Sequence, residues 1–199
     1  MPERTGSSTG RSSLVLASAS PRRRWLLEKL GIEFQVFPVN LDERARPGET
    51  PADFAQRMAD EKAAAAVADC SDSWVLAADT VVALGESVLG KPSDRDDAVS
   101  MLTRLAGRTH TVYTAVALLR PGGELATHDV FSTKVTFRTL SAEEIRAYVA
   151  TGEPFDRAGA YAIQGEGAHL VDRVEGSYTT VIGLPVPEVA EWLRAWRIG

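Results

Sequence analysis

The sequence predicts an α/β fold with a mixed central sheet flanked by helices. Three stretches predict it. Val75-Leu76-Ala77-Ala78 is a continuous apolar run that meets Asp79-Thr80 and is followed by Val81-Val82-Ala83-Leu84. Such a run reads as a strand covered on both faces. Residues 14–31 read as a short apolar strand, a tight turn and a helix. Residues 109–119 and 124–138 read as two long strands joined by a Pro121-Gly122-Gly123 turn, which adds antiparallel pairing. An acid at the end of a buried strand is expected at the rim of the sheet, facing solvent or a ligand, and in open α/β sheets that rim is where ligands bind. Asp79 is such an acid, or else it caps a turn.

Size and composition narrow the class. The 199 residues suit one domain and can bury a core without disulfides. A net charge of −5 argues against general nucleic-acid binding. The single cysteine, Cys70, rules out an internal disulfide and a cysteine-based zinc site, and reads as structural. No apolar run approaches the length of a membrane span. Residues 1–13, rich in Ser, Thr, Gly and Arg, lack the apolar core of a secretory signal and are expected to form a disordered tail before a single domain at 14–199. A cytoplasmic location follows as the default.

The elements follow in order. After the 14–17 strand, Ser20 suits an N-cap and Pro21 the first helical position. Trp25, Leu26, Leu27 and Leu30 give the helix its apolar face, and Gly31 ends it. The turn between them holds Ser18, Ser20, Arg22, Arg23 and Arg24. Cations at a helix N-terminus oppose the helix dipole, so three in a row call for an anion such as a phosphate; the plainer reading is a solvated basic turn. Residues 32–37 alternate as a strand. Residues 38–48, with Asp42-Glu43-Arg44, read as an exposed acidic loop. Thr50 caps a helix that runs to about residue 68, with Asp53 in its first turn and Glu61-Lys62 read as a surface ion pair.

Gly85-Glu86-Ser87 is a hairpin turn after the Asp79 strand. Gly90-Lys91-Pro92 fixes the backbone around one lysine, either as a simple turn or to present that lysine to a phosphate. Ser93 is expected to cap a helix ending near Gly107. His110 and His128 fall in the long strands, outside any metal-ligand spacing, and read as structural. Ser141 and Glu144 form a capping box for a helix that stops at Gly152. Residues 159–168 hold three glycines around Tyr161 and Gln164, which suggests backbone close to a ligand. Residues 170–174 and 179–182 read as strands on either side of Gly176-Ser177-Tyr178. A last amphipathic helix carries Val189, Trp192, Leu193 and Trp196.

Taken together, these stretches closely resemble the Maf family of nucleoside triphosphate pyrophosphatases. The matching pieces are Ser18-Ala19-Ser20-Pro21-Arg22-Arg23, Asp42-Glu43, Glu61-Lys62-Ala63, Ala78-Asp79-Thr80, Gly90-Lys91-Pro92, Gly107-Arg108-Thr109-His110, Ala158-Gly159-Ala160-Tyr161-Ala162-Ile163-Gln164-Gly165, Gly176-Ser177-Tyr178 and Gly183-Leu184-Pro185. Each motif is weak alone; the ordered set is specific. The resemblance implies a Maf / inosine triphosphatase-like architecture, with a twisted mixed sheet and a cleft between two lobes. It further implies hydrolysis of a nucleoside triphosphate to monophosphate and pyrophosphate, a divalent metal (Mg²⁺ or Mn²⁺), and a homodimer. Asp79 matches the family's proton acceptor. Glu43, Lys62 and Lys91 match its other functional residues. Arg22, Thr80 and Gln164 match positions tied to the choice of base, and their identities here are similar to the branch that acts on dTTP and UTP. Other readings are a pyrophosphatase for 7-methyl-GTP or modified nucleotides, and a nucleotide-binding regulator of septum formation.

Physical chemistry agrees with that implied reaction. Cleaving a triphosphate between its α and β phosphorus atoms builds charge on the leaving pyrophosphate, so cations and a positioned water are needed. Asp79 and Glu43 are oxygen ligands that suit a hard divalent metal, and either acid suits either of the two jobs, metal ligand or base. Arg22, Arg23, Lys62 and Lys91 are candidate phosphate clamps. The Gln164 amide can donate and accept at the edge shared by uracil and thymine.

Overall fold

The structure is a computed structural model that describes residues 13–199. Apart from Ser13, the expected N-terminal tail lies outside the described residues. Ser13 itself is tied down: its carbonyl accepts from the Trp74 amide at 2.9 Å.

The chain runs β1 (Leu14–Leu16), α1 (Pro21–Glu28), β2 (Phe34–Val36), α2 (Pro51–Val67), β3 (Trp74–Leu84), β4 (Ser87–Leu89), α3 (Arg95–Leu105), β5 (Thr109–Leu119), β6 (Leu125–Phe137), α4 (Ala142–Ala150), β7 (Val171–Glu175), α5 (Tyr178–Ile182) and α6 (Val186–Ala195). Short 3₁₀ turns fill 153–156, 158–160 and 165–170. One mixed sheet orders the strands β2-β1-β3-β5-β6-β7, with β4 also paired to β3. β1 is parallel to both neighbours; β3, β5, β6 and β7 pair antiparallel. The mixed α/β class expected from sequence is therefore the one observed.

β3 organises the rest. Its even-numbered residues, including Trp74, Leu76, Ala78 and Val82, pack into a core shared with α1, α3, α4 and α6. Its odd-numbered residues, Val75, Ala77 and Val81, pack into a second core under α2. A buried strand that shows apolar residues on both faces is the expected result of helices on both sides. The α2 core is a seam of small residues. Ala55, Ala59, Ala63 and Ala66 lie fully buried against a sheet face that includes Ala77, Ala115 and Ala117. Alanine on alanine lets the helix lie close to the sheet.

Three local expectations are corrected. Asp79 does not end its strand. β3 continues five residues beyond it, and what ends is β1, which pairs only with Trp74–Leu76. β4 then covers only Val82–Leu84 on that same edge. The stretch between has no strand neighbour there, and this gap makes the rim that the apolar run led us to expect. Second, residues 179–182 are helical. The Ser177 hydroxyl accepts from the Thr180 amide, and Gly183 closes the turn with its amide on the Thr179 carbonyl. These two caps override the β preference of a Thr-Thr-Val-Ile run. Third, Asp94 rather than Ser93 caps α3. Its carboxylate accepts from the Asp97 amide at 2.8 Å, while Ser93 bonds Asp97 from one residue outside.

Candidate active site

The gap in the β3 edge opens into a cleft of about 290 Å³. One wall is the turn between β1 and α1, together with Glu43 on its loop. The other holds Lys91, the turn at Asp156 and the segment with Gln164. Ser18, Arg22, Arg23, Glu43, Lys62, Asp79, Thr80, Lys91 and Gln164 all line this one cavity, whereas Arg24, the third arginine of the turn, does not and pairs with Glu28 at 2.8 Å.

The α2 side of β3 carries the acids. Asp79 is 7 % exposed and points toward α2. Lys62 projects from the buried stripe of α2, at i+4 from Met58 and i−4 from Ala66, so it is not the surface ion-pair residue that its pairing with Glu61 suggests. Its ammonium donates to Asp79 Oδ1 at 2.6 Å and to Glu43 Oε1 at 2.6 Å. One buried cation therefore bridges two carboxylates that are 36 residues apart in the chain. Burial pushes the Glu43 carboxyl up, but the Lys62 hydrogen bond and the charges of Lys62, Lys91 and Arg23 outweigh it and leave the group below its ordinary value. Glu61 is the surface partner instead, accepting from Arg46 and Arg57. Arg57 also grips Glu49 at 2.6 and 2.8 Å and the Arg44 carbonyl at 3.0 Å, which fastens the Glu43 loop to α2.

The other side of β3 carries hydroxyls and guanidinium. Thr80 Oγ1 accepts from Arg23 Nη2 at 3.0 Å and shares a hydrogen with Thr114 Oγ1, also at 3.0 Å; Thr114 donates onward to the Thr180 carbonyl. Arg23 further donates to the Gly183 carbonyl at 2.9 Å and to Ser18 Oγ at 3.3 Å. All three of its nitrogens thus have protein partners, so Arg23 braces the cleft wall and is a poorer free clamp than its sequence position suggests. Burial lowers its pKa, against which Asp79 and Glu43 pull upward.

Arg22 and Lys91 face the open cleft. Both reach Asp156, at 3.9 Å and 3.5 Å. Asp156 was not singled out from the sequence. It is 68 % exposed, so these are loose, solvent-screened pairs that an anionic ligand can displace. No local pattern marks Asp156, because it meets Lys91 across 65 residues of chain. Among the described residues, Gln164 makes no side-chain hydrogen bond to protein, which leaves its amide open to the cleft. His110 and His128 are structural, as expected. The His110 Nε2 bonds the Tyr161 hydroxyl at 2.8 Å and His128 bonds Asp60 at 3.0 Å. Cys70 is half-buried against the α2 core.

Two acids joined by a lysine lie on one side of a strand and guanidinium and hydroxyl groups on the other, and all of them line one cleft with the Gln164 amide. The chain belongs to the Maf family: the family model described as Maf-like protein matches residues 13–196. It is 50% identical to the dTTP/UTP pyrophosphatase of Desulfotalea psychrophila, over 93% of this chain and 95% of that one. It is 51% identical to the protein of the same name from Geobacter sp. (strain M21), over 92% and 95%, and 52% identical to that of Myxococcus xanthus, over 91% of each chain. Among solved structures, a HAM1 protein from Coxiella burnetii is similar at a TM-score of 0.47 and 16% identity, over 92% of this chain and 99% of that one.

Proposed function

We propose that this protein hydrolyses dTTP and UTP to the nucleoside monophosphate and pyrophosphate. The full-length relatives at about half identity carry that name. The observation that carries the reading in this chain is the Asp79–Lys62–Glu43 bridge on the floor of a cleft whose other walls hold Arg22, Lys91 and Gln164.

The residues suit a divalent metal. Among the described residues no three His, Cys, Asp or Glu side chains converge, so the protein offers Asp79 and Glu43, each with one oxygen not bonded to Lys62. Mg²⁺ is commonly held in that way, by one or two carboxylates with substrate phosphates and water completing the shell. When bound, such an ion supplies charge neutralisation on the phosphates and a more acidic water. Asp79 then accepts the proton of the water that attacks the α-phosphorus. Lys62 holds that carboxylate in place and neutralises the pair. Arg22 and Lys91 leave Asp156 for the β and γ phosphates and stabilise the pyrophosphate as its bond to the α-phosphorus breaks. The Gln164 amide pairs with the O4 and N3–H edge of the pyrimidine. The reading carries with it a cytoplasmic homodimer with no nucleic-acid partner. No helix among the described residues is long and apolar enough to cross a membrane.

The test is pyrophosphate release from dTTP, UTP, CTP, dGTP and 7-methyl-GTP, with Mg²⁺ or Mn²⁺ and with a chelator. Release led by dTTP and UTP and abolished by the chelator is expected. Release led by 7-methyl-GTP would overturn the base assignment, and no release from any of the five would overturn the enzymatic one.

A further inference from the structure

Gln164 sits in the middle of a turn that hangs from two side chains outside the cleft. Tyr148, near the end of α4, is 2 % exposed. Its hydroxyl donates to Glu153 Oε2 at 2.8 Å and accepts from the Ala162 amide at 3.1 Å. The same Glu153 oxygen accepts from the Gly167 amide at 2.8 Å. The two backbone amides so held lie two residues before and three residues after Gln164. Burial first, and then the nearby carboxylates, push the Tyr148 phenol up, so it stays protonated and donates.

The turn is moulded to this pair. Gly165 has φ +78°, and a Cβ there would overlap Glu153 Oε1. A Cβ on Gly167 would overlap the Ala162 carbonyl and crowd the Tyr148 hydroxyl at 2.6 Å. The chain can wrap the carboxylate only because both positions are glycine. Glu153 is also close enough to Arg22 to raise its pKa against burial. A single carboxylate thus bears on Gln164, through its turn, and on Arg22, through its charge, two residues that line the cleft.

We infer that Tyr148 and Glu153 are positioning residues for substrate selectivity, holding the 162–167 turn so that the Gln164 amide meets the pyrimidine edge. The inference rests on the base-recognition role proposed for Gln164. A part-buried network in which one carboxylate oxygen accepts from both a phenol and a backbone amide can fix a unique geometry more firmly than loose packing can. Loss of one of its bonds frees the turn and blurs the fit without touching the Asp79 side of the site.

The experiment compares kcat and KM for UTP and CTP in the unaltered protein, Tyr148→Phe, Glu153→Ala and Glu153→Gln, each also in a Gln164→Ala background. Tyr148→Phe and Glu153→Ala are expected to reduce the UTP-over-CTP preference about tenfold, mostly through KM, with kcat nearly unchanged. Glu153→Gln keeps an oxygen for both donors and is expected to retain most of the preference. In the Gln164→Ala background the Tyr148→Phe change is expected to add almost nothing, because both act through one contact. Full selectivity in Tyr148→Phe, or an equal additional loss in the Gln164→Ala background, would overturn the inference while leaving the substrate reading intact. An unaltered protein that does not distinguish UTP from CTP would overturn the substrate reading, and the inference with it. Tyr148→Phe keeps the ring packing, and its melting curve separates a loss of selectivity from a loss of fold.

Discussion

Asp79 and Thr80 are adjacent in sequence and face opposite sides of the same strand. On the Asp79 side the site is built from full charges: two carboxylates and an ammonium within 2.6 Å contacts, set under a helix of alanines. On the Thr80 side a single charge, the Arg23 guanidinium, is held by neutral partners: the Thr80 hydroxyl, which Thr114 joins, and the Gly183 carbonyl, with Thr114 tied in turn to the Thr180 carbonyl. On the proposed reading, the strand's alternation separates chemistry from recognition at no cost in distance. Asp79 and Lys62 are buried, which strengthens their interaction, while Thr80 sits on a scaffold braced by Arg23 and Thr114. The two faces should therefore fail in different ways.

The largest effect is expected from Asp79→Asn, which keeps shape and removes the proposed proton acceptor. Turnover should fall between about a hundredfold and about ten-thousandfold while binding of the monophosphate product persists. Steady-state release of pyrophosphate and calorimetric binding of UMP measure the two. A variant with near-normal turnover would end the distinction between the faces. Lys62→Met should follow. It leaves the buried Asp79 and the half-exposed Glu43 without their cation, and a denaturant titration should record a loss of about 3 kcal/mol in stability along with most of the activity.

On the recognition face, pH offers a gentler probe. Burial lowers the His110 pKa to about 4 from the usual 6.5. A histidine depressed in the folded state binds fewer protons there than when unfolded, so its contribution is complete above about pH 6.5 and is lost as pH falls toward 4. That amounts to about 3 kcal/mol at most. Unfolding free energies taken across this range should show the slope, and His110→Phe should flatten it; an unchanged slope would place the titration elsewhere. The smallest effect is expected from Thr80→Val. It breaks the Arg23–Thr80–Thr114 chain and should raise KM severalfold, by about 1 kcal/mol in binding, with kcat almost untouched. A fall in kcat comparable to that of Asp79→Asn would erase the contrast.

Much of this was legible in the residues. The run around Asp79 announced the central strand, and two arginines of the first turn of α1 line the cleft. The capping box at Ser141 and the last amphipathic helix are where the pattern puts them. What was not legible depended on distance in three dimensions. Lys62 reads as half of a surface pair because Glu61 precedes it, although its spacing from Met58 and Ala66 already places it on the buried stripe. Asp156 meets Lys91 across 65 residues, and nothing local marks that encounter. The strand expected at 179–182 failed because β preference is weak beside two satisfied helix caps.

The alanine seam beneath α2 has a consequence for how this sequence can change. None of Ala59, Ala63, Ala77 or Ala117 offers an atom to the reaction, yet together they set how far Lys62 descends toward Asp79. A mutation that adds a few methylenes there leaves a foldable protein whose lysine no longer reaches. Selection for solubility alone would accept such variants and selection for turnover would reject them. A library randomised at these four positions should thus split into many soluble members and few active ones, nearly all of the latter with small side chains at the seam. The catalytic inheritance of the chain lies partly in residues that do no chemistry.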